Sequence, residues 1–161
     1  MKLQALILSA AAVVVSNAAW SQAAPMSQQE TDAIVSKFQA AYADTFNRRD
    51  AGAMASLLTE NATLQNEWGD VTQGRGKIES LVTRLMAGLP AGTRLEDTAL
   101  VSQAISADTI VSQGVSRRIV PGTEPGQMFF SRVLVLKDGQ WRLAATQIAR
   151  PSTVPKPAAA P

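Results

Sequence analysis

The sequence of 161 residues contains no cysteine and no histidine. Without cysteine no disulfide can form, so the stability of the fold has to come from its hydrophobic core, alone or together with a partner subunit. Without histidine, the usual zinc sites, the serine and cysteine triads and the imidazole bases of neutral pH are excluded. Acid–base chemistry would fall to Asp, Glu, Tyr, Lys or bound water, and we predict no metal ion and no cofactor.

The chain also lacks a large excess of charge of either sign. It has 15 Lys and Arg residues against 13 Asp and Glu residues, a formal net charge of +2. Nucleic acids and anionic membrane surfaces are recognised through concentrated positive charge. We therefore expect neither of them as a partner of the mature chain.

The N-terminal residues have the three-part form of a secretory signal. Lys2 precedes an apolar stretch, Leu3 to Val15, and the small residues Ser21 and Ala23 favour cleavage after Ala23. Polar residues within the apolar stretch argue against an uncleaved membrane anchor, which is the alternative. We expect residues 1–23 to be removed and the mature protein to be periplasmic or secreted.

Helical signals dominate the first half of the mature chain. "SQQE" at Ser27–Glu30 has the spacing of a capping box, and apolar positions then recur at helical intervals, which predicts a first helix over residues 28–48. Asp50 can cap a short second helix in "AGAMASLL". A short strand follows in "ATLQNEW", and "GKIESLVTRLMAG" places its apolar residues on one face of a third helix.

From Thr93 onward the apolar residues alternate with polar ones, as is typical of strands. Asp138-Gly139 between the last two strand segments is a strong hairpin signal. Helices followed by consecutive strands predict an α+β domain over residues 24–149, with three N-terminal helices packed on a curved, mainly antiparallel sheet. Residues 150–161, "RPSTVPKPAAAP", are predicted to form a disordered tail.

The segment Gly69–Ile78, "GDVTQGRGKI", comes close to a phosphate-binding loop. Such a loop requires Lys and then Ser or Thr after the second glycine, whereas Arg75 and Gly76 stand there. We interpret the glycines as a turn from a short strand into the third helix.

Three stretches resemble the NTF2-like superfamily, specifically its SnoaL-like, DUF4440 and SgcJ/EcaC-type small proteins. They are "NRRDAGAMASLLTENA", the Gly-Arg pair before the third helix, and "LKDGQWRL" in the last hairpin. The resemblance covers residues 28–149. It implies a cone-shaped fold with a pocket between sheet and helices, and often a homodimer formed through the sheet. Because proteins of this kind range from isomerases and cyclases to ligand-binding and dimerisation modules, it implies no single activity.

The last hairpin predicts which side chains face the pocket. Counting back from the turn at Asp138-Gly139, one face carries Leu134, Leu136, Trp141 and Leu143 and, farther away, Phe130 opposite Gln147 and Arg132 opposite Ala145. The large apolar residues favour this face for packing on the helices, so Arg132 and Gln147 should point inward. The other face carries the apolar residues Phe129, Val133, Val135, Ala144 and Ile148, which favour a dimer interface.

Arg132 is the leading polar residue of the predicted pocket. An inward arginine is costly to bury alone, so it should meet a carboxylate, a ligand anion or water. The alternative is a structural ion pair with Glu67, Glu96 or Asp97, or a solvated position at the rim.

Tyr42, the only tyrosine, lies on the apolar side of the first helix and could present its phenol to the pocket or serve as a core aromatic. Trp68 resembles a pocket-wall position of these families, although packing alone also explains it. Since a base without histidine has to be a carboxylate near a donor, the candidate catalytic residues are Glu67, Asp97 and Tyr42. Asp44 is expected to face water.

Three hypotheses about function remain. The first is an exported NTF2-like domain that binds a small, largely apolar molecule close to Tyr42, Trp68, Phe130, Arg132 and Gln147. The second is a metal-independent isomerase, cyclase or hydratase that uses a carboxylate base. The third is a non-catalytic dimerisation module.

Overall fold

The computed structural model describes residues 26–151, so the predicted signal peptide and nearly all of the predicted tail lie outside the described residues. The helices and strands in chain order are α1 (Gln28–Asn47), α2 (Ala51–Ser56), β1 (Leu58–Gln65), β2 (Val71–Gln73), α3 (Arg75–Gly88), β3 (Arg94–Ser106), β4 (Thr109–Ile119), β5 (Gly126–Lys137) and β6 (Gln140–Ala149). The strands form a six-stranded sheet in the order β2-β1-β6-β5-β4-β3. Every pair is antiparallel except β1 with β6. The predicted α+β architecture is confirmed.

The helices begin where the capping signals predict. Ser27 and Glu30 form the reciprocal capping box of α1, and hydrogen bonds from the Ser27 side chain and backbone lower the pKa of the Glu30 carboxyl. Asp50 accepts a 2.8 Å hydrogen bond from the backbone of Ala53 at the start of α2. α3 follows Gly74, whose φ of 98° lets the chain turn out of β2. None of the helices within residues 26–151 is long and apolar enough to cross a membrane.

The core lies between the helices and one face of the sheet, called the inner face here. α1 contributes Val35, Phe38, Tyr42 and Phe46, α3 contributes Ile78, Val82 and Met86, and the sheet contributes Ile110, Leu134 and Leu143. The helical residues recur at intervals of three or four, so one stripe of each helix is buried. Burial of this apolar surface is the main source of stability in a chain without disulfides.

β1 differs from the predicted strand at both ends. It begins at Leu58, because Leu58 pairs with Leu143 of β6, and the polar residues 59–61 are held in an irregular stretch before pairing resumes at Thr63. It ends at Gln65, because the Asn66 side chain accepts hydrogen bonds from the backbone of Trp68 and Asp70 and closes a turn. The predicted strand through Trp68 is therefore wrong beyond Gln65.

The last hairpin turns as predicted but changes register along its length. Asp138 and Gly139 have φ angles of 52° and 71°, as a type I′ turn requires. Pairing continues to Leu134 opposite Leu143 and then shifts, so that Val133 lies opposite Ala145. Ala144 is the extra residue of a β-bulge, and a bulge of one residue exchanges the two faces of the strand beyond it.

The predicted facing of the far half of β6 is consequently wrong. Arg132 lies opposite Thr146 instead of Ala145, and Phe130 lies opposite Ile148 instead of Gln147. Gln147 is exposed on the outer face of the sheet, whereas Thr146 is buried. The predicted facing of β5 is confirmed for Phe130, Arg132 and Leu134, which are buried, whereas Leu136 near the turn is 40% exposed.

Candidate functional site

A cavity of about 120 Å³ lies between α1, α3 and the inner face of the sheet. Its wall is mainly apolar and includes Phe46, Leu64, Val82, Leu95 and Met128. Its polar lining residues are Tyr42, Asn66, Glu67, Ser116, Arg118 and Arg132. An apolar wall with a few converging polar groups is the usual composition of a small-molecule site.

A buried ion pair lies at the inner end of this cavity. Nη1 of Arg132 on β5 is 2.7 Å from Oδ2 of Asp97 on β3, and the two side chains are 3% and 0% exposed. Of the three acids that the sequence offered to Arg132, Asp97 is therefore its partner. The other two pair elsewhere, Glu96 with Arg94 and Glu67 with Arg150.

Aromatic rings enclose the Arg132 guanidinium. Its central carbon is 4.5 Å from the ring centroid of Tyr42 and 4.1 Å from that of Phe130. Both distances are within the range in which a cation is attracted to the face of an aromatic ring. Three residues that the sequence placed near a ligand, Tyr42, Phe130 and Arg132, are thus in contact with one another.

The ion pair leaves hydrogen-bonding capacity unused. Although the two charges are in contact, their geometry is not that of an aligned hydrogen bond, and Nε and Nη1 of Arg132 and both oxygens of Asp97 have no hydrogen-bond partner within residues 26–151. We regard the contact as electrostatic, because 2.7 Å between two enclosed opposite charges leaves no room for water between them. Buried polar groups normally do have partners.

Tyr42 keeps its proton at the pH at which proteins work. Burial raises the pKa of its phenol, the charge of Arg132 lowers it, and the charge of Asp97 raises it again. Burial is the largest of the three effects. The phenol is therefore a donor and not a base.

A second group of residues surrounds the mouth of the cavity. Trp68 is 67% exposed, whereas the neighbouring Glu67 side chain is only 6% exposed and lies 3.5 Å from Nη2 of Arg150. The Arg150 guanidinium is also 5.0 Å from the Trp68 ring centroid. Arg150 was assigned to the tail by its sequence context, and only the turn at Asn66 brings Glu67 and Trp68 beside it.

A row of buried polar residues next to the ion pair was not predicted from the sequence. The row runs across β3, β4, β5 and β6 through neighbouring cross-strand pairs and consists of Ser102, Ser112, Arg132 and Thr146. All four residues are buried. The Ala144 bulge brings Thr146 into this row. Small residues at alternate positions of β4, Ser112, Gly114 and Ser116, two of them polar, were the signal that could have indicated it.

The site residues predicted from the sequence therefore fall into three places. Tyr42, Asp97, Phe130 and Arg132 form the inner cluster, Glu67 and Trp68 lie at the mouth, and Gln147 is outside. The expected inward orientation of Gln147 is wrong because of the bulge at Ala144. Asp44 faces water and pairs with Arg48 at 2.9 Å. Within residues 26–151, no three acidic side chains are close enough together to hold a metal ion.

The model of the SnoaL-like domain family matches residues 38–144. The chain belongs to this family. A search of curated proteins found no match to this chain.

Solved structures resemble the SnoaL-like domain at low sequence identity. A protein of unknown function with a cystatin-like fold from Nostoc punctiforme is 21% identical with a TM-score of 0.70, over 80% of this chain and 82% of that one. An NTF2-like protein of unknown function from Pseudomonas putida is 12% identical with a TM-score of 0.66, over 78% and 89%. A ketosteroid isomerase-like protein from Erwinia carotovora atroseptica is 17% identical with a TM-score of 0.64, over 78% and 99%. These similarities confirm the NTF2-like fold and carry no activity over to this chain.

Proposed function

We propose that this SnoaL-like domain binds a small, largely apolar molecule in the cavity between α1, α3 and the sheet. The observation that carries the proposal is an apolar cavity whose inner end holds a buried arginine with unused donors. Burying a charged pair contributes little net stability compared with apolar residues of the same size. A ligand that accepts a hydrogen bond from Arg132 explains why a charged pair stands here in place of apolar residues.

The proposal also covers the compartment in which the protein works. The charged, apolar and small-residue segments of residues 1–23 support export, and we propose that the mature domain works in the periplasm or outside the cell. The mass of the protein isolated from its native cells tests this directly. A mass that includes residues 1–23 would contradict cleavage.

A metal-independent isomerase, cyclase or hydratase is the second candidate. In its favour, the Asp97 carboxylate and the Tyr42 phenol both lie against Arg132. A catalytic base has to reach its substrate, whereas the Asp97 side chain is fully enclosed and its charge is already paired. The geometry therefore favours binding over catalysis.

Native mass spectrometry with matched variants tests the binding function. Ser116 lines the cavity, and Ser116→Phe would place a ring in it. Ser80→Phe makes the same substitution at an exposed position of α3. We expect an excess mass, released on denaturation, on the wild type and on Ser80→Phe but not on Ser116→Phe. An excess mass that persists in Ser116→Phe, or none on any of the three proteins, would contradict the proposal.

We also propose that the SnoaL-like domain forms a homodimer through the outer face of the sheet. Phe129 is 41% exposed and shares that face with Val133 and Ala145, and an apolar surface of this kind favours association. Val133→Arg should convert the dimer to a monomer in light scattering, whereas Ser36→Arg, on an exposed position of α1, should not. A monomeric wild type, or a dimer that survives Val133→Arg, would contradict this interface.

A further inference from the structure

We propose that the ligand carries a neutral acceptor oxygen, such as that of a ketone, which accepts a hydrogen bond from Arg132, and that the inner end of the cavity disfavours a carboxylate. This inference rests on the proposed function, because it specifies the ligand of the same cavity.

The direction of its N–H bonds determines how a ligand can contact Arg132. All N–H donors of a guanidinium lie in its plane. The rings of Tyr42 and Phe130 lie against the guanidinium, 4.5 and 4.1 Å from its central carbon, so they take up space beside it that a ligand would otherwise fill. A group that approaches along the edge meets the N–H bonds directly, which is the geometry that a carbonyl oxygen prefers.

Part of the guanidinium edge has N–H donors without hydrogen-bond partners. Asp97 contacts the guanidinium through Nη1, while Nε has no hydrogen-bond partner within residues 26–151. Arg132 lines the cavity although it is almost completely buried. Nε has almost no accessible surface, and a buried donor without a partner is costly, so a small turn of the guanidinium that brings this N–H group to an acceptor at the inner end of the cavity is favoured.

The charge of Asp97 determines which acceptors are favoured at the inner end of the cavity. Asp97 already neutralises Arg132 at contact distance, so a second carboxylate there would be repelled by the first while losing its own hydration. The other arginine of the cavity, Arg118, also lines the depression at the mouth together with Glu67 and Arg150. An anion is therefore attracted to the mouth and not to the inner end.

Three probes of nearly equal size separate these possibilities: ethylbenzene, acetophenone and benzoate. Their affinities are measured by NMR titration of the isotope-labelled mature protein, with the amide signals of Ser112 and Arg132 reporting on the inner end. The variants are Asp97→Asn, which removes the neutralising charge, and Arg132→Met/Asp97→Asn, which removes both charges and leaves no buried charge unpaired. Glu67→Gln is the matched control, because it removes a carboxylate at the mouth.

We expect the ratio of acetophenone affinity to ethylbenzene affinity to fall about tenfold in the double variant, the usual effect of one hydrogen bond to a charged group. Benzoate affinity, read from the inner-end signals, should rise about tenfold in Asp97→Asn and stay within twofold in Glu67→Gln. Circular dichroism confirms that each variant is folded before its affinities are compared.

The outcomes distinguish this inference from the proposed function. If ethylbenzene and acetophenone bind but their ratio is the same in the double variant, the role of Arg132 is overturned while small-molecule binding stands. If benzoate is the tightest probe at the inner end of the wild type, the proposed neutrality of the acceptor is overturned. If none of the three probes binds the wild type, both proposals are overturned.

Discussion

The ion pair between Arg132 and Asp97 makes a quantitative prediction about stability. Two opposite unit charges about 4 Å apart attract each other by about 4 kcal/mol at an effective dielectric constant of about 20. Removing one partner of a buried pair typically costs about 3–5 kcal/mol, because the other charge is left unpaired. A domain of this size is stable by only about 5–15 kcal/mol in total, so such a loss is easily measured.

The two single variants should differ in cost. Arg132→Met leaves the Asp97 carboxylate unpaired in an enclosed position, since its side chain is 0% exposed. Asp97→Asn keeps an amide oxygen beside the Arg132 guanidinium, which also borders the cavity and lies against two aromatic rings. We expect Arg132→Met to cost about 3–5 kcal/mol and Asp97→Asn to cost clearly less. The double variant should cost about 2–3 kcal/mol less than the sum of the two single variants.

Urea unfolding followed by circular dichroism measures all four proteins of this cycle. The exposed pair of Arg48 and Asp44, at 2.9 Å, provides the control, and its cycle with Arg48→Met and Asp44→Asn should give a coupling of about 0.3–0.5 kcal/mol. A coupling for the buried pair no larger than that of the exposed pair would refute the reasoning. So would an Asp97→Asn variant that is less stable than Arg132→Met.

Two further predictions concern the surroundings of the pair. At Gly114 a Cβ atom would lie 2.1 Å from the carbonyl oxygen of Thr98 and 2.6 Å from the ring of Phe130, so Gly114→Ala should cost about 3 kcal/mol in urea unfolding. Gly76→Ala in α3, where a Cβ atom meets nothing within 4 Å, should be neutral or stabilising by about 0.5–1 kcal/mol; equal effects at the two sites would contradict the close approach at Gly114. Burial raises the pKa of Tyr42, so the unfolded chain loses the phenolic proton first, and the wild type should lose unfolding free energy relative to Tyr42→Phe as the pH rises above about 10. Stability curves that stay parallel between pH 8 and 12 would show that this phenol titrates as it does in the unfolded chain.

Most of the elements could be predicted from the sequence because their signals are local. The capping box at Ser27 and the turn at Asp138-Gly139 each depend on a few neighbouring residues, and both occur as predicted. The bulge at Ala144 could not be predicted in this way. It lies where β6 changes register against both of its neighbours, β5 on one side and β1 on the other. That double shift depends on strands that are far apart in the sequence.

The candidate site shows the same division between local and distant signals. The burial of Arg132 follows from alternation along β5, and was predicted. Its partner could have been chosen from the sequence, because Asp97 alternates with Leu95 and Ala99 on β3, whereas Glu96 falls on the other face. The contact between Arg150 and Glu67 could not, because it depends on where the end of β6 meets the turn after β1.

The bulge at Ala144 makes the composition of the cavity wall depend on the register of β6 more than on the identity of residue 144. Replacing Ala144 by another small residue leaves the inward positions of β6 unchanged, since the register depends on the number of residues. Deleting it would restore simple alternation after Leu143 and leave Thr146 and Ile148 facing inward and Gln147 outward, because Ala145 keeps its place opposite Val133. Only a slip that keeps Ala144 and pairs it opposite Val133 would turn Thr146 and Ile148 outward and bring Gln147 into the cavity wall, without altering any side chain.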